Sequence, residues 1–165
     1  MTDGRPAAPR SVAAEGGERW WALGTLATMK VSGADTDGRL SVWESTFPKG
    51  AAPPVHTHPQ DESFYVLEGE MTVWLDGERT IFGPGAFFFA PGGTPHTFRV
   101  DSETALVLAL STPAGIEAFL RDVGIPADRP TLPPPDAERP SDEQRATAEQ
   151  ANGVEILGPP PGPDD

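Results

Sequence analysis

From Trp20 to Thr112 the chain runs in short bursts of aromatic, β-branched and aliphatic residues, each interrupted by Gly, Pro or Asp. Strand-length segments punctuated in this way predict an all-β sandwich or barrel. The clearest pair is Met71–Leu75 and Glu78–Phe82, joined by Asp76-Gly77. Asp-Gly supplies the positive φ angles that a two-residue hairpin turn demands. Further strands are predicted at Leu40–Phe47, Val55–His58, Ser63–Leu67, Ala86–Ala90, His96–Val100 and Thr104–Leu110. Gly69, Gly83-Pro84-Gly85 and Pro91-Gly92-Gly93 mark turns between them.

After the strands the period changes. Thr112-Pro113 reads as an N-cap followed by proline at the first helical position, which predicts a helix over Ala114–Val123 ended by Gly124. Pro126–Pro140 is rich in proline and reads as extended. Ser141-Asp142-Glu143-Gln144 is a capping box that opens a second short helix to Ala151, with Asn152-Gly153 as its stop. Val154, Ile156 and Leu157 form an apolar hook, expected to dock back on the body. Residues 1–18 lack apolar periodicity and read as a flexible arm. The expected organisation is therefore an arm over 1–18, a barrel with its following helix over 19–129, and a proline-rich acidic extension with helix and hook over 130–165.

Charge and composition narrow the function. A formal net charge of −13 leaves no basic footprint for phosphate contacts, so nucleic acid is not an expected partner. The absence of cysteine removes disulfides and thiolate ligands and fits a cytoplasmic location. No apolar run reaches the ~20 residues that cross a bilayer, and the first residues lack the apolar core of a secretory signal.

The chemistry lies in the three histidines of the chain, His56, His58 and His96. Imidazole is the commonest metal-ligating side chain. In an extended strand residues two apart share a face, so His56 and His58 can aim at one point. Glu62, beyond the turn Pro59-Gln60-Asp61, can approach that point from the next strand. Pro91-Gly92-Gly93 delivers His96 at the head of its own strand. A nitrogen and oxygen donor set without sulfur admits Mn, Fe, Co, Ni, Cu or Zn.

These two segments resemble the cupin family. Gly50, five residues, His56-Thr57-His58, three residues, Glu62, six residues and Gly69 fit its first motif at each specified position. Gly85, five residues, Pro91-Gly92-Gly93, two residues and His96 fit its second, with Val100 where the family has asparagine. The resemblance implies a small antiparallel jelly-roll barrel and one divalent transition metal held by His56, His58, Glu62 and His96. The Trp20-Trp21 opening, the Pro113–Glu117 and Val123–Pro126 segments and the Val154–Pro159 ending are similar to single-domain actinobacterial cupins of the quercetin 2,3-dioxygenase type. That similarity implies a Ni, Co, Fe or Mn enzyme that cleaves a flavonol or related enolic aromatic substrate with O2, with Glu62 as general base. A cyclase, decarboxylase or isomerase of aromatic polyketide-type metabolites, and a non-catalytic ligand-binding cupin, are the alternatives.

Phe64 shares the face of Glu62 and Phe98 that of His96, so both are candidates to line a substrate pocket, with Trp43, Trp74, Phe87 and Phe89 behind them. Alternation sets Phe88 opposite Phe87 and Phe89. Asp61, Lys30 and Arg99 read as surface residues. Trp20-Trp21 on a solvent-facing edge would be a liability, which suggests a docking or exchange strand and a homodimer.

Overall fold

The computed structural model describes residues 7–165. Its strands are β1 (Arg19–Ala22), β2 (Thr25–Val31), β3 (Ser41–Pro48), β4 (Val55–Thr57), β5 (Asp61–Glu68), β6 (Met71–Leu75), β7 (Glu78–Phe82), β8 (Phe87–Ala90), β9 (His96–Val100), β10 (Thr104–Thr112), β11 (Gly124–Pro126) and β12 (Glu155–Gly158). Three short helices accompany them: α1 (Gly33–Thr36), α2 (Ile116–Val123) and α3 (Asp142–Ala151). The strands form two antiparallel sheets, a seven-stranded one in the order β11-β1-β2-β3-β10-β5-β8 and a five-stranded one in the order β12-β4-β9-β6-β7.

The period-2 pattern explains why the sheets face each other. In β3 residues 41, 43, 45 and 47 are buried, and in β10 residues 105, 107, 109 and 111. Met71, Val66, Val73, Val100 and Val107 are completely enclosed, and Phe47, Phe64, Phe88 and Phe98 interleave among them with ring centroids 4.9–6.4 Å apart. Each such side chain contributes about 1.5–3 kcal/mol by leaving water. The Asp76-Gly77 turn forms as predicted: Leu75 pairs with Glu78, and the two turn residues have φ of 51° and 84°.

Four expectations change. β10 runs through to Thr112, which pairs with Asp61, so Thr112 serves the ladder and not a helix cap. The helix starts at Ile116 behind Gly115, and Ala114 donates its N–H to Gly38 O. Gly124, expected only to end a helix, also opens β11, which pairs with β1. Consequently both edges of β1 are taken, by β2 and β11, and Trp20-Trp21 is not a free docking strand. Trp21 is buried and donates its indole N–H to Thr131 O at 2.8 Å.

The ends of the described chain are tied down. Residues 1–6 of the expected arm lie outside the described residues. The remainder leans on β2 and α1, where Arg10 meets Asp35 at 2.7 Å and Lys30 donates to Ala14 O and Gly16 O. Lys30, expected at the surface without a partner, also faces Glu44 at 3.6 Å. At the other end Ser141 and Gln144 close the expected capping box with bonds of 3.1 and 2.8 Å. α3 then packs on α2 through a small cluster of Val123, Ala148 and Ala22. The apolar hook becomes β12 and adds to β4, with Ile156 opposite His56. Arg99 is mostly covered: it pairs with Asp101 at 2.8 Å and donates to Gly162 O near the chain end.

Candidate metal centre

Strand pairing brings the histidines together. His56 on β4 lies directly opposite His96 on β9, and His58 follows two residues past His56. Glu62 enters from the opposing sheet on β5. One ring nitrogen from each of His56, His58 and His96 lies within 4.8 Å of the others. A single ion held about 2 Å from each imidazole nitrogen can serve such a group. Glu62 Oε2 sits 3.2 Å from His58 Nε2 and 2.9 Å from His96 Nε2.

The opposite nitrogen of each ring fixes its tautomer. His56 Nδ1 faces Pro54 O at 2.7 Å, His58 Nδ1 faces Gln60 O at 3.1 Å, and His96 Nδ1 faces Thr94 O at 2.8 Å. A carbonyl can only accept, so each Nδ1 carries the hydrogen and each neutral ring presents its Nε2 lone pair. For His58 and His96 that lone pair meets the Glu62 carboxylate. Two electron-rich atoms at that distance repel unless a proton or metal cation lies between them. The donor set therefore fits a divalent cation on its chemistry as well as on its spacing.

With a proton in that place, His58 and His96 donate from Nε2 to Glu62 Oε2. Burial alone would raise the Glu62 carboxyl, but hydrogen bonds from His58 and His96 outweigh it and hold it at about 2. Burial would lower His96, yet the Glu62 carboxylate more than compensates and raises it. His56 is lowered by burial and by the neighbouring His96 charge.

Two contacts between the motifs lock the loop after His58. Gly93 donates its N–H to His58 O at 2.9 Å, and Gly92 donates to Asp61 Oδ1 at 2.8 Å. Asp61, expected to face solvent, therefore ties the second motif to the first. A Cβ on Gly92 would lie 2.1 Å from Pro59 O, so only glycine fits there.

The centre opens into a cavity of about 420 Å³. Phe64, Phe98 and Trp43 line it, together with Ser45, Phe47 and Gln60. Trp74, Phe87 and Phe89, the other pocket candidates, do not. Trp74 lies beneath the guanidinium groups of Arg79 and Arg99, 6.0 and 5.6 Å from its ring. On β8 it is Phe88 that turns to the core, leaving Phe87 and Phe89 outside.

Much of the remaining wall lies outside the motif region. Leu23 and Thr25 come from the β1–β2 turn, Ile116, Phe119 and Leu120 from α2, and Arg139, Arg145, Asn152, Val154 and Ile156 from the C-terminal segment. Their sequence signals are the i, i+3, i+4 spacing on α2 and the alternation of Val154 and Ile156. Neither signal identifies the cavity as the destination.

Residues 43–112 match the family described as the cupin domain. The chain is 37% identical over 100 residues to quercetin 2,3-dioxygenase of Bacillus subtilis (strain 168), a stretch that covers 60% of this chain and 30% of that relative. The chain thus spans less than a third of that relative's length. Among solved structures, KdgF from Halomonas sp. aligns with a TM-score of 0.52 at 28% identity, over 57% of this chain and 84% of that one. An RmlC-like cupin from Shewanella frigidimarina aligns with a TM-score of 0.56 at 23% identity, over 64% of this chain and 93% of that one, a likeness of fold. Among the described residues no helix is long and apolar enough to cross a membrane.

Proposed function

The chain carries a cupin domain, and from that premise we propose that it is a metal-dependent dioxygenase acting on a flavonol or related enolic aromatic substrate with O2. The observation that carries this reading is the set of three tautomer-fixed imidazoles beside a buried carboxylate, at the end of an apolar cavity. His56, His58 and His96 would hold a divalent transition metal, with Glu62 as a fourth ligand or a close neighbour. When bound, such an ion supplies Lewis acidity that makes an enolic hydroxyl more acidic, and a redox-capable centre.

The protein's own groups do the rest. Glu62 accepts the enolic proton and holds it in a hydrogen bond to the substrate oxygen. Phe64 and Phe98 flank a planar ring system, and the apolar wall excludes water. The same reading places the protein in the cytoplasm with a small aromatic substrate.

The test is turnover. Protein loaded in turn with Ni, Co, Fe or Mn is mixed with a flavonol panel in air, and the flavonol absorbance and carbon monoxide are followed. At least one metal form is expected to consume a flavonol and release carbon monoxide. Glu62→Gln is expected to keep its metal and lose about 100-fold or more in rate, the usual worth of a general base. Failure of all four metal forms would refute the substrate class, and a Glu62→Gln variant at full rate would refute the base. Turnover that persists without O2 would assign the site to cyclase, decarboxylase or isomerase chemistry.

A further inference from the structure

Cations are scarce in this chain, and nearly all of them are engaged. Lys and Arg number 12 against 25 Asp and Glu, so a carboxylate is within easy reach of almost any cation. Among the described residues, each lysine and arginine other than Arg139 makes an ion pair or a hydrogen bond. Some meet a carboxylate, as Arg10, Lys49 and Arg121 do. Others donate to a backbone carbonyl, as Arg19, Arg39 and Arg79 do. Arg139 does neither within the described residues, although Asp136 and Glu138 stand close by in sequence. It lines the cavity instead.

The backbone fixes where Arg139 stands. Pro140 follows it, and a residue before proline is held extended. Ser141 then closes the capping box of α3, and upstream the Trp21 indole holds Thr131 O. The other polar groups of this wall are already engaged. Arg145 faces Asp142 at 3.2 Å and Glu149 at 3.8 Å. Asn152 Nδ2 donates to Asp122 Oδ2 and Ala148 O, both at 2.8 Å. Arg139 and Arg145 against Glu149 leave this wall with one positive charge in excess. Arg139 is exposed, whereas His58, His96 and Glu62 are buried, so the excess lies on the solvent-facing side of the cavity and not at the metal centre.

We propose that Arg139 is a specificity-determining residue of the cavity, and that the substrate carries a carboxylate which its guanidinium binds. The proposal rests on the reading of the cavity as the site of an aromatic substrate, and it narrows that substrate to an acid. A mostly apolar pocket orients its ligand through a few placed polar groups. The planar guanidinium matches a carboxylate through two parallel N–H···O bonds. The aromatic body then lies against Phe64 and Phe98, deeper in the cavity. Long-range charge acts in the same sense. A chain of −13 repels an anion over most of its surface, and a positive excess at one opening draws the anion there.

Calorimetric titration of the Zn(II)-loaded full chain with para-phenylbenzoate, and with its neutral counterpart para-phenylbenzamide, tests this. The benzoate is expected to bind about 10-fold or more tighter, the worth of a charge-assisted hydrogen bond. Arg139→Gln should lose that preference and Arg139→Lys should keep part of it, both with unchanged Zn(II) stoichiometry and circular dichroism. Equal affinities in the wild type, or binding of neither probe, would overturn the proposal. So would a preference that survives Arg139→Gln, which would put the carboxylate on the metal. Neither probe has an enolic hydroxyl, so the result is independent of flavonol turnover. A protein that consumes neutral flavonols and ignores the carboxylate overturns the role of Arg139 alone. One that prefers the acid through Arg139 and consumes no flavonol upholds that role and overturns only the flavonol reading.

Discussion

Glu117 gives the sharpest test of how the cavity wall is held. It is a buried carboxylate in the first turn of α2. Its Oε1 accepts the N–H of Gly33 at 2.8 Å and its Oε2 that of Gly115 at 2.8 Å. One side chain thereby anchors α2 to α1, and α2 supplies Ile116, Phe119 and Leu120 to the cavity. Glu117→Ala strands two backbone donors in a covered site, at about 1–3 kcal/mol each, for a total of about 2–6 kcal/mol. With a urea slope of about 1.5–2 kcal/mol/M for a chain of this size, the midpoint should fall by about 1–4 M. Tryptophan fluorescence follows the transition directly. Burial pushes the Glu117 carboxyl up, but the N–H groups of Gly33, Glu117 itself and Gly115 outweigh it and hold it below its usual value of 4.5. The folded-state pKa is therefore the lower one. The stabilisation is complete above the unfolded value and is lost as pH falls through the folded value. Glu117→Gln, which keeps one acceptor and turns a donor towards the other N–H, should lose stability at pH 7 and converge on the wild type in acid. An unchanged midpoint in Glu117→Ala, or a Gln deficit that is constant with pH, would refute this account of the wall.

Further outcomes follow from other contacts. Gly92→Ala forces a methyl group to within 2.1 Å of Pro59 O and must shift the loop after His58; Zn(II) affinity measured by calorimetry should fall about 10–100-fold, as when metal-supporting contacts are lost. Ile156→Pro removes a strand N–H opposite His56 and should weaken metal binding more than it shifts the melting temperature. Phe64→Ala hollows the junction of core and cavity and should cost about 3–5 kcal/mol in urea unfolding. Ser141→Ala breaks the capping box and should cost about 1 kcal/mol by the same assay, with metal affinity unchanged.

The sequence was most legible where a local rule coincides with the tertiary result. Asp76-Gly77 makes its hairpin because few other residues tolerate both positive φ angles, and α3 begins at its capping box because both bonds are local. The three histidines could be singled out because the chain has no others, and β4 and β9 then pair His56 directly with His96. What was hidden depends on distant partners. Thr112 looks like a cap until Asp61 is seen beside it in the ladder. Glu117 reads as an ordinary helical acid, because its acceptor role involves Gly33, 84 residues away. Alternation separates Phe88 from Phe87 and Phe89 but cannot say which side is the core. Trp20-Trp21 looked like a loose edge because Gly124–Pro126, the strand that covers it, is three residues long and carries no strand signal of its own.

The central claim is that His56, His58 and His96 gather on one divalent ion. Titration of metal-depleted protein with Co(II), read by calorimetry and by X-ray absorption at the cobalt edge, addresses it directly. The expected result is one ion per chain with three imidazoles in its shell, and affinity at least about 100-fold weaker in His56→Ala, His58→Ala and His96→Ala, each still folded by circular dichroism. Uptake without a defined stoichiometry, or single-histidine variants that bind as tightly as the wild type, would contradict it.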